Sequence, residues 1–101
     1  MYLLIDDMRN IHADITARTA EAGKAILEKL SGSIDCLGID FDLGGEISGY
    51  DIARWALERG YLPRKVQIVS MNPPGRKAIQ AALLDAGYKQ EDNFNFVLKG
   101  E

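Results

Sequence analysis

Tyr2-Leu3-Leu4-Ile5-Asp6-Asp7 is a continuous apolar run closed by two aspartates. A run without polar alternation is what a strand covered on both faces requires. The pattern recurs along the chain: Cys36-Leu37-Gly38-Ile39 ends on Asp40, the run 66–69 ends on Ser70, and the run 94–98 ends on Lys99. Helix-like segments separate the later runs, so parallel pairing is expected, and the carboxyl ends of parallel strands all point one way. Asp6, Asp7, Asp40, Ser70 and Lys99 would then meet at one edge of one sheet. Carboxylates, a hydroxyl and an ammonium in one place suit Mg²⁺ and a phosphoryl group. The expected fold is α/β, a three-layer sandwich about a central parallel sheet of four to five strands.

The rest of the composition narrows the class. The 101 residues are read as a single compact domain, 1–101, with no internal repeat and no low-complexity linker. Apolar content of 47% and charged content of 27% are those of an ordinary globular protein. No stretch approaches the ~20 apolar residues that span a bilayer, and no charged-then-apolar leader precedes the first strand. Cys36 is the lone cysteine, which excludes an internal disulfide, and one Cys with one His is too few for a structural zinc site. The expected location is the cytoplasm, with no membrane partner. A net charge of −3 argues against a broad nucleic-acid surface and leaves room for a small phosphate-bearing ligand held by local cations.

Between the runs, Ala20–Leu30 reads as a helix capped by Thr19, with Ala22, Ile26 and Leu30 inward. Ser31-Gly32-Ser33 stops it. Gly44 and Gly45 mark a loop over 41–48, and a second helix over Gly49–Arg59 turns Ile52, Trp55 and Ala56 inward. Gly60 closes that helix and Pro63 prevents its resumption. A third, over 76–86, follows Asn72-Pro73-Pro74-Gly75, turns Ile79, Ala82 and Leu83 inward, and ends at Gly87. Residues 8–19 admit two readings. Ile11, Ile15, Ala22, Ile26 and Leu30 fall at helical spacing, so composition slightly favours one helix over 10–30. Alternatively, 14–18 alternates polar and apolar as an edge strand; the seven residues before it reach ~23 Å when extended, enough to recross a short strand.

The constellation resembles the receiver domains of response regulators. Leu4-Ile5-Asp6-Asp7 matches their acidic pair, and Asp35 to Asp40 matches the strand that ends in the phosphoacceptor. Ser70 falls at their hydroxyl residue and Lys99 at their lysine. The resemblance implies a flavodoxin-like fold, Asp40 as acceptor, Asp6 and Asp7 on Mg²⁺, and Ser70 and Lys99 on phosphoryl oxygens. The chain departs from the ordinary receiver where Gly100 and Glu101 follow the lysine, where the first crossover is short, and at Asn72-Pro73-Pro74-Gly75-Arg76. The first and last receiver helices are therefore expected to be reduced or absent. A closer resemblance is to the cyclic-phosphate processing receiver-like family. It rests on Asp6-Asp7-x-Arg9, Arg18-Thr19-Ala20-Glu21, Asp40-x-Asp42-Leu43-Gly44, Gly49-Tyr50-Asp51 with Trp55, and Asn72-Pro73-x-Gly75-Arg76. It tips 14–18 toward the edge strand. Val69 stands where that family often has His.

The residue chemistry supports the same ligand class. Mg²⁺ takes hard oxygens and keeps several waters, so Asp6, Asp7 and Asp40 plus a substrate phosphate suit it. Asp42 offers a further acid, as ligand or as base for water. Arg9 and Arg76 offer planar donors to phosphate oxygens, Arg76 from the first turn of its helix. The prolines remove backbone donors there, which leaves binding to the side chains of Asn72 and Arg76. Tyr50, Ile52 and Trp55 are read as packing, His12 as a loop residue, and Arg64-Lys65 as solvated. The leading expectation is a Mg²⁺-dependent domain that binds or hydrolyses a phosphate ester, a cyclic phosphate on an RNA end or a nucleotide. Asp40, Asp42 and Lys99 would act on the reacting centre, and Ser70, Asn72, Arg76 and Arg9 would bind phosphate. Two alternatives stand beside it. One is a stand-alone receiver phosphorylated on Asp40. The other is an inactive receiver-like adaptor or inhibitor, of bacterial or phage origin, that binds a host protein.

Overall fold

The computed structural model describes residues 1–98. Its strands are β1 (Tyr2–Ile5), β2 (Ile15–Ala17), β3 (Cys36–Ile39), β4 (Lys65–Ile68), β5 (Tyr88–Gln90) and β6 (Asn95–Leu98). Its α-helices are α1 (Ala20–Leu30), α2 (Gly49–Arg59) and α3 (Pro73–Asp85). The sheet runs β2-β1-β3-β4-β6-β5. The first four of these strands are parallel, and β6 is antiparallel to both β4 and β5. This is a receiver-like α/β fold with a mixed, mostly parallel sheet. No helix among the described residues is long and apolar enough to cross a membrane.

Strand alternation sorts the sheet into two faces. Leu3, Ile5, Leu37, Ile39, Val66, Ile68 and Phe96 join one buried core with Leu27 of α1, Ile52 and Ala56 of α2, and Ile79 and Leu83 of α3. The opposite face carries Tyr2, Cys36, Lys65, Gln67, Asn95 and Val97, which line a groove of about 390 Å³. The three described helices all pack on the first of these faces. No helix forms between β1 and β2, as the short first crossover led one to expect.

The segment 8–19 resolves as loop and edge strand. Ile15, Thr16 and Ala17 pair with Leu3, Leu4 and Ile5 in parallel. Side chains, rather than a helix, satisfy the backbone of the connecting loop. Asp6 accepts from the Met8 and Arg9 amides, each at 2.9 Å, and Asp14 accepts from the Tyr2 amide at 2.7 Å. Such local bonds offer the chain an alternative to helix.

In α1, Thr19 caps the helix as expected, accepting from the Ala22 amide at 3.1 Å. The inward stripe is Ala20, Gly23 and Leu27, with Ile26 and Leu30 half-buried. This displaces the expected stripe, because a Cβ at Gly23 would overlap Ile5; the helix seats itself where glycine permits the closest approach. In α2, Ser48 and Asp51 form a reciprocal capping box, and Gly60 ends the helix at φ 75°. Trp55 is half-buried, its ring 5.4 Å from that of Tyr61.

Helix α3 begins earlier than expected, at Pro73. Its first two residues are prolines, whose missing N–H groups would be unpaired there in any case. Asn72 is the cap and accepts from the Gly75 amide at 3.0 Å.

The largest correction concerns the last run. The strand expected to be parallel over 94–98 is β6, and it runs antiparallel, with the Leu98 amide donating to the Arg64 carbonyl at the amino end of the parallel strands. It returns from β5 through a tight turn in which Asp92 accepts from the amides of Phe94 and Asn95, each at 2.9 Å. A short turn allows only antiparallel pairing, whereas a parallel return needs a dozen residues or more.

Candidate functional site

Asp6 directly follows β1 and Asp40 directly follows β3, neighbouring strands held in register by Ile5 opposite Ile39. The Asp40 amide donates to the Ile5 carbonyl at 3.0 Å, which fixes the two acids side by side. Asp6 is fully buried and Asp40 is 7% exposed. With half-buried Asp7 they form a cluster whose nearest ligand atoms all lie within 4.8 Å of one another. Mg²⁺ takes hard oxygen donors such as carboxylates and keeps several waters, so the residues present fit that ion.

Arg9 lies across the buried pair. Its Nη1 is 2.9 Å from Asp6 Oδ2 and 3.2 Å from Asp40 Oδ2. Arg18 holds the loop that carries it, donating to the carbonyls of Asp6 at 3.2 Å and Arg9 at 2.6 Å and to the Asn10 side chain at 2.8 Å.

The two buried acids titrate in opposite directions. Burial pushes the Asp6 carboxyl up, but donation from the Arg9 and Met8 amides and from the Arg9 guanidinium outweighs it and holds the group below its ordinary value. Burial and the adjacent Asp6 charge push Asp40 up, more than Arg9, Ser70 and the Phe41 backbone pull it down. The Asp6 bond, followed by the Asp40 charge, raises Arg9 further although burial opposes them.

The other expected residues have partners of their own. Ser70 is 1% exposed and its hydroxyl accepts from the Asn72 amide at 3.1 Å. Asp42 is exposed, lies outside the carboxylate cluster, and accepts from the Asn72 side-chain amide at 3.3 Å. Arg76 donates to the Asn93 carbonyl and places its guanidinium 4.9 Å from the centre of the Phe94 ring. Its side chain is thus engaged by the β5–β6 turn. Lys99 lies outside the described residues.

Two glycines set the distances. A Cβ at Gly49 would overlap the Asp40 carbonyl, and one at Gly75 would overlap the Phe41 ring. Glycine therefore brings α2 and α3 against the loop after β3.

Two contributions escaped the sequence reading. Arg18 appeared only as part of a motif, and its role as a clamp depends on the fold of the loop. The β5–β6 hairpin was signalled by Asp92-Asn93, a turn pair between two short runs, but the polar Tyr88-Lys89-Gln90 hides its first strand.

The model of the cyclic-phosphate processing receiver domain matches residues 1–85. The chain belongs to that family. No curated protein and no solved structure matches the chain. The matched span carries Asp6, Asp7, Arg9, Arg18, Asp40, Asp42, Ser70, Asn72 and Arg76, whereas the β5–β6 hairpin lies beyond it. For a receiver domain of this family, the acid cluster at the carboxyl ends of β1 and β3 is the candidate centre.

Proposed function

We propose that the acid edge binds Mg²⁺ and a phosphate ester, and that it opens a cyclic phosphate on an RNA end or a nucleotide. The observation that carries this reading is the convergence of Asp6, Asp7 and Asp40, two of them buried, at one sheet edge. The family to which the chain belongs supports the choice of a cyclic phosphate. Asp6, Asp7 and Asp40 would hold the ion, which when bound neutralises charge on the phosphoryl oxygens.

The chain's own residues supply the rest. Arg9, Ser70 and Asn72 offer donors to the phosphate, and Arg76 lies in the first turn of α3, where the helix dipole favours an anion. Asp42, hydrogen-bonded to Asn72 and open to solvent, would take a proton from attacking water. Water oxygen bonds to phosphorus, one ring P–O bond breaks, and the released oxygen takes a proton to leave a phosphate monoester. A ³¹P NMR time course with a 2′,3′-cyclic nucleotide tests this. Conversion in Mg²⁺, stopped by EDTA and by Asp40→Asn, is expected; no conversion, or conversion indifferent to both, contradicts it.

Asp40 at the end of β3, beside Ser70, also favours a second reading, a phosphoacceptor switch. Incubation with acetyl phosphate and intact-mass measurement separates the two, since only the switch leaves a stable phosphorylated species.

A further inference from the structure

The position between Asp6 and Asp40 is taken by the protein itself. Arg9 Nη1 contacts Asp6 Oδ2 at 2.9 Å and Asp40 Oδ2 at 3.2 Å, so one nitrogen serves both buried acids. These are oxygens that a divalent ion at this site would need, at about 2.1 Å for Mg²⁺. A guanidinium and a dication bonded to the same two oxygens would stand within a few ångströms of each other, in a place where water screens little. They would compete for the same two carboxylates.

From this geometry we infer that Arg9 is an internal counter-cation that competes with the divalent ion for Asp6 and Asp40 and so sets the affinity of the site. The inference rests on the metal reading proposed above. Without metal, Arg9 balances the carboxylates and lets two buried acids stand side by side in a folded protein. With metal, its side chain leaves the two carboxylates, which frees its donors for the phosphate.

The loop is built for that exchange. The Arg9 backbone is fixed by its own amide bond to Asp6 Oδ1 at 2.9 Å and by the Arg18 clamp on its carbonyl. Its side chain is 32% exposed, against 0% for the Asp6 side chain beneath it. The guanidinium can therefore turn out to solvent by side-chain rotation while the loop and Asp6 stay in place. Arg18, which donates to two backbone carbonyls and a side-chain amide of the loop, takes no part in the exchange except to hold it.

The test is a calorimetric Mg²⁺ titration of wild type, Arg9→Gln, Arg9→Lys and Asp40→Asn, with thermal melts of each in EDTA and in Mg²⁺. Arg9→Gln is expected to bind Mg²⁺ about tenfold more tightly than wild type, the order of a lost charge-assisted contact. It should melt lower in EDTA and gain more from added Mg²⁺. Arg9→Lys, which keeps the charge and loses the fork, should lie between. Equal or weaker binding by Arg9→Gln overturns the inference. Should Arg9→Gln be unfolded in EDTA, Arg9→Lys carries the comparison, and affinity unchanged from wild type overturns it. If wild type and Arg9→Gln bind equally and Asp40→Asn does not bind, the metal site stands and the role of Arg9 alone falls. If none of them takes Mg²⁺, the metal reading fails and the competition with it.

Discussion

Asp6 and Asp40 are neighbours with opposite electrostatic character. Asp6 is held below the ordinary carboxylate range, so its contribution to stability is present above that range and is lost as pH falls through its folded value. Asp40 is held above it, so ionised Asp40 costs stability; that cost is absent at low pH and fully present once pH exceeds its folded value. Isosteric amides should therefore act oppositely at pH 7 without metal. Asp40→Asn is expected to raise stability by about 1 kcal/mol, and Asp6→Asn to lower it by ~1–3 kcal/mol as two amides and Arg9 lose their charged acceptor. Melts in EDTA between pH 3 and 8 check both signs; a loss on Asp40→Asn equal to that on Asp6→Asn would contradict the assignment. Both acids were legible in the sequence, because a carboxylate directly after an apolar run can be placed without knowing the rest of the fold. Arg9 was legible as a cation near phosphate. That it bridges the acids depends on the Arg18 clamp, a contact nine residues apart that no local pattern encodes.

At the scale of elements, the close approach of α2 to the loop after β3 depends on Gly49. Gly49→Ala would force the Asp40 carbonyl aside, and a loss of ~1–3 kcal/mol with weakened Mg²⁺ binding is expected. Denaturant melts and a metal titration measure the two together; a loss of stability with unchanged metal affinity would separate Gly49 from the site. The β5–β6 hairpin is anchored at its far end by Tyr88, 5% exposed, whose hydroxyl donates to the Pro63 carbonyl. Burial pushes Tyr88 up to about 12. Its contribution is therefore complete below about pH 10, the ordinary tyrosine value, and is lost as pH rises through the folded value. Tyr88→Phe should cost about 1 kcal/mol and remove the last phase of a phenolate absorbance titration; an unchanged late phase would show that another tyrosine carries it. The three helices were readable from caps and apolar spacing. The hairpin was not. An apolar run gives a strand but carries no direction, and alternation of helix and strand earlier in the chain made parallel pairing the natural extension. The edge strand β2 was likewise masked, since Ile11, Ile15, Ala22, Ile26 and Leu30 keep helical spacing across a loop whose bonds come from Asp6, Asp14 and Arg18.

For the molecule as a whole, the described helices cover one face of the sheet and leave the other open among the described residues, while the acids gather at its carboxyl edge. The groove beside Tyr2 and Gln67, whose side chains bond at 2.9 Å, lies on that open face rather than at the acids. Layering could not be read from the runs, because Leu4 is as buried as Leu3 although it belongs to the face without helices. Convergence of the acids depends only on β1 and β3 being parallel neighbours, and so it survives every correction made to the fold. The central claim is that this convergence makes a metal site. An amide-resolved NMR titration with Mg²⁺, comparing wild type with Asp40→Asn, tests it most directly. Shifts confined to residues around Asp6, Arg9, Asp40 and Ser70, and lost in the variant, are predicted. No shift at millimolar Mg²⁺, or the same shifts in Asp40→Asn, would contradict it.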